Sequence, residues 1–183
     1  MITKITILLL LCMNQFVANG QTIPDSYLQT LSGDSIKLSQ YQGKKVMIIV
    51  LPVSHTAEDS IILVNVETTY QRYKDSVVFI GVPSYEDGYA DSLSTDIKAW
   101  YRDTLHLTFA ITKGMYTHNS SGSEQAFLFR WLTTENMNGH FGADITTHGQ
   151  KFVLNEHGEL HGVYSETTLL STKLMGIIVG MDN

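Results

Sequence analysis

Two stretches in the first half of the chain are apolar at every position or nearly so. Val46–Leu51 is Val-Met-Ile-Ile-Val-Leu, and Val77–Val82 is Val-Val-Phe-Ile-Gly-Val. Short runs apolar at both parities predict strands covered on both faces. Between them, Ile62, Val66, Tyr70 and Tyr73 recur at helical spacing, and Glu58 and Asp59 suit the positive end of a helix over Ala57–Tyr73. Upstream, Tyr27–Leu31 and Ser35–Leu38 flank Ser32-Gly33-Asp34, a hairpin signal. Downstream, helices are predicted at Ser94–Thr104, where Ile97, Trp100 and Tyr101 share a face, and at Gln125–Leu132. Lys151–Leu154 and Glu159–Tyr164 form a second hairpin around Asn155-Glu156-His157-Gly158, and Thr167–Met175 closes the pattern as a helix. A strand–helix–strand start with a terminal hairpin and helix predicts an α/β fold: a central sheet with helices on both faces.

One apolar run does not belong to that pattern. Ile5–Met13 follows a single positive charge, Lys4, and precedes a polar segment ending Ala18-Asn19-Gly20. This order is that of a secretory signal peptide cleaved near Gly20, and the run is too short to span a bilayer. An uncleaved N-terminal anchor and lipidation at Cys12 are the alternatives, although Leu11 is larger than the residue that usually precedes a lipidated cysteine. The expectation is export, periplasmic or secreted, with residues 1–20 as the signal, residues 21–183 as one domain and no membrane span after cleavage. The formal charge of −6 argues against a nucleic-acid partner, which requires a basic patch. Cys12 is the only cysteine. A chain processed at Gly20 therefore has no thiol and no disulfide.

The pattern resembles the glutathione peroxidase family of thioredoxin-like proteins. The resemblance is distributed over Thr30–Leu51, Tyr70–Pro83, Asp96–Phe109, Phe127–Leu132 and Lys151–Val163. Gly81-Val82-Pro83 and the closing Lys-Phe-Val-Leu-Asn-Glu-His-Gly favour this family over peroxiredoxins. It implies a three-layer fold with a mixed central sheet and an N-terminal β-hairpin. It also implies peroxide reduction by a cysteine or selenocysteine at the start of the first long helix, supported by a glutamine and a Trp-Asn pair.

At those positions this chain departs from the family. The loop Val53-Ser54-His55-Thr56-Ala57 puts Thr56 where the thiol belongs. Ser84-Tyr85-Glu86-Asp87-Gly88 puts Glu86 at the glutamine, and Thr147 and His148 fall on the Trp-Asn pair. A threonine hydroxyl is far less acidic than a thiol and does not cycle through a sulfenic acid. The reading is of an exported protein without thiol peroxidase activity, with no cofactor and a binding or structural role toward an unidentified ligand or protein. Enzyme chemistry of a non-thiol kind, or the family's own peroxide reduction, are the alternatives. Thr56 suits a helix N-cap. His55 is expected to be a solvent-facing loop residue, Glu86 and Asp87 a solvated acidic turn, and His148 a loop histidine bonded to backbone. Gathered at one rim, His55, Glu86 and His148 would be a weak candidate set for a divalent metal. Thr56, His148 and Glu86 would be a conceivable hydrolytic arrangement.

Overall fold

The computed structural model describes residues 22–180. The segment expected to be a signal peptide, residues 1–20, and Cys12 with it, lie outside the described residues. Among the described residues seven strands form two sheets. β1 (Tyr27–Gln29) and β2 (Ser35–Lys37) are the antiparallel N-terminal hairpin. The main sheet is mixed, in the order β5-β4-β3-β6-β7. β3 (Lys45–Leu51) lies at its centre, parallel to β4 (Val77–Pro83), with Val46 opposite Val78 and Leu51 opposite Pro83. β4 is parallel to β5 (Ala110–Ile111). β6 (Lys151–Leu154) and β7 (Leu160–Tyr164) close the other side as the expected hairpin, antiparallel to each other and to β3.

Why β3 is apolar at every position from Val46 to Leu51 is now visible. Met47, Ile49 and Leu51 enter one core with Leu63 and Val66 of α1 (Ala57–Tyr73). Ile97 of α2 (Ser94–Ala99) and Met175 and Ile178 of the C-terminal helix join them. Val46, Ile48 and Val50 enter a second core with Leu128, Phe129, Trp131 and Leu132 of α3 (Phe127–Thr133), and with Leu28 and Ile36 of the hairpin. Each parity of one strand thus feeds its own layer. This is the thioredoxin-like three-layer arrangement that the resemblance implies.

Four details differ from the sequence reading. The buried stripe of α1 runs Asp59, Leu63, Val66, with Tyr70 and Tyr73 partly buried, so Leu63 rather than Ile62 faces the core. The helix expected over Ser94–Thr104 changes after Ala99 into a π-helical turn, Trp100–Thr104. A short α4 (Glu135–Asn138) follows α3. The last helix, α5, spans Thr172–Val179, five residues later than expected. Ser171 sets its start by accepting a hydrogen bond from the Leu174 N–H, while Ser165, Thr167 and Thr168 bond one another in the preceding turn. Local hydroxyl bonding of this kind competes with helix, and the first good cap wins. No helix among the described residues is long and apolar enough to cross a membrane.

Candidate functional site

β3 and β4 are parallel neighbours, so the loops leaving their C-terminal ends meet at one edge of the sheet. In open α/β sheets that edge is where ligands bind. Thr56 ends the β3 loop in extended conformation and is the N-cap of α1; its Oγ1 accepts the Asp59 N–H at 3.1 Å. The hydroxyl therefore serves the backbone of the helix. His55 is exposed, and its ring stacks on Trp100 with centroids 4.4 Å apart.

The β4 loop does not form a solvated acidic turn. Glu86 is half-buried, and its carboxylate accepts the Thr117 N–H (3.0 and 3.1 Å), the His118 N–H (3.0 Å), the Ser84 hydroxyl (2.7 Å) and the Ser121 hydroxyl (2.5 Å). Burial would raise its pKa, but the hydroxyl and backbone donors win and hold the group at about 2, against an ordinary 4.5. Glu86 is thus an anchor for the 117–121 loop. The next residue takes the inward position. Asp87 Oδ1 lies 4.0 Å from His148 Nδ1, and His148 Nε2 lies 3.3 Å from Asp59 Oδ1. Asp59 is 8% exposed, Asp87 14% and His148 30%. His148 therefore lies between two sequestered carboxylates rather than bonding to backbone, which corrects its expected role. Burial pushes the Asp87 carboxyl up, with the charge of His148 pulling the other way, and its second oxygen is buried without a partner among the described residues.

The metal set drawn from the sequence is not assembled. His55 is engaged with Trp100, Glu86 faces the 117–121 loop, and only His148 keeps its place. Asp59 and Asp87 approach opposite ring nitrogens, so one ion could not bind both carboxylates and the imidazole. Among the described residues no group of three or more His, Cys, Asp or Glu is placed to hold a metal. Nor does the Thr56–His148–Glu86 arrangement form, since Thr56 caps the helix and Glu86 is saturated. Thr147 is half-buried on the loop that carries His148.

Sequence reasoning missed Asp59 and Asp87 as partners of His148. For Asp59 the signal was available. It stands four residues before Leu63 on the buried stripe of α1, and a carboxylate on an apolar stripe demands a partner. For Asp87 nothing local separated it from Glu86.

No family model matches this chain. A search of curated proteins found no match either. Among solved structures it is similar to Trgpx in apo form, with 20% identity, a TM-score of 0.65, and coverage of 87% of this chain and 94% of that one. It is similar to T. cruzi GPX1, with 17% identity, a TM-score of 0.60, and coverage of 87% and 97%. It is also similar to a thiol:disulfide interchange protein of the thioredoxin family from Chlorobium tepidum, with 14% identity, a TM-score of 0.61, and coverage of 88% and 95%. At these identities the likeness is one of fold: thioredoxin-like α/β, with neighbours that are oxidoreductases.

Proposed function

We propose that the chain is an exported, thioredoxin-like protein of glutathione peroxidase type that has lost thiol chemistry and acts by binding. The observation that carries this reading is the start of α1, where Thr56 stands at the N-cap and spends its hydroxyl on the Asp59 N–H. A helix N-terminus is where a redox thiol gains its low pKa. Here the residue is threonine, and the sole cysteine, Cys12, belongs to the segment we read as the signal peptide, residues 1–20. The remainder, residues 21–183, is one domain in this reading. The fate of Glu86 supports the same conclusion, because its oxygens are committed to the 117–121 loop and do not attend a sulfur.

A second reading is favoured by one observation, the Asp59–His148–Asp87 cluster. An imidazole held by a buried carboxylate is the part of a hydrolytic dyad that takes a proton. It is the weaker reading, because among the described residues neither Thr56 nor any other hydroxyl is bonded to His148. The deciding experiment is turnover of hydrogen peroxide and a lipid hydroperoxide by the processed chain, with glutathione or thioredoxin as reductant, alongside reduction of insulin disulfides. The expected result is no catalysis above buffer. Sustained turnover in either assay overturns the loss of redox activity.

A further inference from the structure

Tyr89 follows the β4 loop and is only 3% exposed, yet its buried hydroxyl has no hydrogen-bond partner among the described residues. Neighbouring tyrosines show the ordinary outcome. Tyr101, also buried, donates to Pro52 O at 2.7 Å, and Tyr85 donates to Asp91 Oδ1 at 3.0 Å. A buried polar group left unpaired is costly, so it marks a place where something other than the fold supplies the partner. The Tyr89 ring cannot swing away to find one. A Cβ on Gly114 would lie 2.0 Å from Tyr89 Cδ1, and the Tyr85 ring meets it edge-on with centroids 5.3 Å apart. The Tyr89 oxygen lies beside the Gly114 backbone and the Ser94 hydroxyl, without hydrogen-bond geometry to either.

Tyr89, Ser94 and Gly114 all line an open cleft of about 800 Å³ bounded by β1 and the start of α2. That volume is in the range of small-molecule sites. The unpartnered hydroxyl therefore belongs to the wall of a cavity that a ligand can enter. The charges around the cleft are of both signs, Lys98 and Lys113 against Asp91, and so select neither an anion nor a cation. Beside them stand neutral groups that donate and accept, the Ser94 and Thr95 hydroxyls and the Gln29 carboxamide. Tyr27 adds a flat ring, 71% exposed, with Lys37 Nζ 5.6 Å from its centroid. A pyranose matches this mixture. Its C–H face packs on an aromatic ring, and each of its hydroxyls both donates and accepts.

We propose that this cleft binds a neutral sugar, with one pyranose ring against Tyr27 and a sugar hydroxyl drawing the Ser94 and Tyr89 hydroxyls into one hydrogen-bonded chain. The cleft shares no lining residue with the Thr56 loop, so the proposal stands whether or not the redox reading does. The test titrates the ¹⁵N-labelled processed chain with maltose, cellobiose, lactose and N,N′-diacetylchitobiose at millimolar concentration, with succinate and putrescine as charged controls. At least one disaccharide should shift the amides of Tyr27, Ser94 and Gly114, and neither control should. Tyr89→Phe should keep or raise the urea midpoint, because it removes a hydroxyl that the fold does not satisfy, while weakening sugar binding about tenfold. Tyr27→Ala should weaken binding to a similar degree. No shift with any of the four sugars overturns the proposal, as does equal binding of succinate or putrescine at these amides, or undiminished affinity in either variant. A lowered urea midpoint in Tyr89→Phe also overturns it, because the hydroxyl would then be bonded within the fold.

Discussion

Glu86→Gln probes the β4 loop most directly, because the loop's charge and its hydrogen bonds meet in one carboxylate. The folded protein holds Glu86 at about 2, against an ordinary 4.5. A folded-state pKa below the unfolded one means stability that is present above pH 4.5 and is lost as pH falls toward 2. Taken at face value, the difference is worth roughly 3 kcal/mol. The group is only half-buried, so solvent screening reduces this to about 1–2 kcal/mol. Glutamine keeps the shape and one acceptor oxygen. It replaces the other oxygen with an N–H₂ group that faces N–H and O–H donors from Ser84, Thr117, His118 or Ser121. Urea denaturation at pH 7 should therefore show a loss of about 1–2 kcal/mol. Between pH 5 and 3 the parent should weaken more steeply than the variant, so that the two curves converge in acid. A variant as stable as the parent at pH 7, with the same slope in acid, would show that Glu86 is a solvated turn residue after all and refute the anchoring role.

Other substitutions test other layers of the fold. A Cβ on Gly81 would lie 2.4 Å from Leu51 Cδ1 and 2.9 Å from Phe109 Cε2. Gly81→Ala should thus cost about 1–3 kcal/mol, read as a lower urea midpoint at unchanged slope. Asp87 has its carboxyl pushed up by burial, so its ionised form costs stability above its ordinary 3.8, and Asp87→Asn should be at least as stable as the parent at pH 7, with the gap narrowing in acid. Lys151 Nζ donates to Gly149 O (2.7 Å), Ser165 O (3.2 Å) and Glu166 O (3.4 Å). Lys151→Met leaves these carbonyls without their donor and should cost about 2 kcal/mol at pH 7. Burial lowers the Lys151 amine to about 8 from 10.5, so the parent alone should gain stability from this residue as pH rises from 8 toward 10.5.

The layers of this fold were legible in the chain because their signal is long and redundant. β3 and β4 are apolar at both parities, and the Gly158 turn, with φ of 80°, pins the last hairpin. What was not legible depended on single hydrogen bonds. The start of α5 turns on whether Ser171 or an earlier hydroxyl caps it, and propensity does not separate them. Glu86 and Asp87 are adjacent acids of equal exposure by any local rule. Only the donors of the 117–121 loop, some thirty residues away, decide that Glu86 turns outward to them and Asp87 inward to His148. The family resemblance pointed to Glu86, whereas the acid beside His148 in the structure is Asp87.

That reassignment changes what a restored thiol would meet. In Thr56→Cys the sulfur would stand at the N-terminus of α1, where free N–H groups favour a thiolate and pKa values of about 3.5–7.5 are common. Against this stands the carboxylate of Asp59, three residues on and 8% exposed, whose own N–H now bonds to Thr56. A like charge so close disfavours the thiolate. His148, whose positive form would offset it, is already held between Asp59 and Asp87. The thiol of Thr56→Cys, measured from the pH dependence of iodoacetamide alkylation, should titrate at about 8 or above, near or past an ordinary cysteine. Adding Asp59→Asn should lower it by about one unit or more, since the opposing charge goes and His148 loses a partner. A thiol already titrating at about 5 in the single variant, accompanied by peroxide turnover, would refute this account. The site would then be a peroxidase lacking only its sulfur, and the Asp59–His148–Asp87 cluster would have no part in keeping it silent.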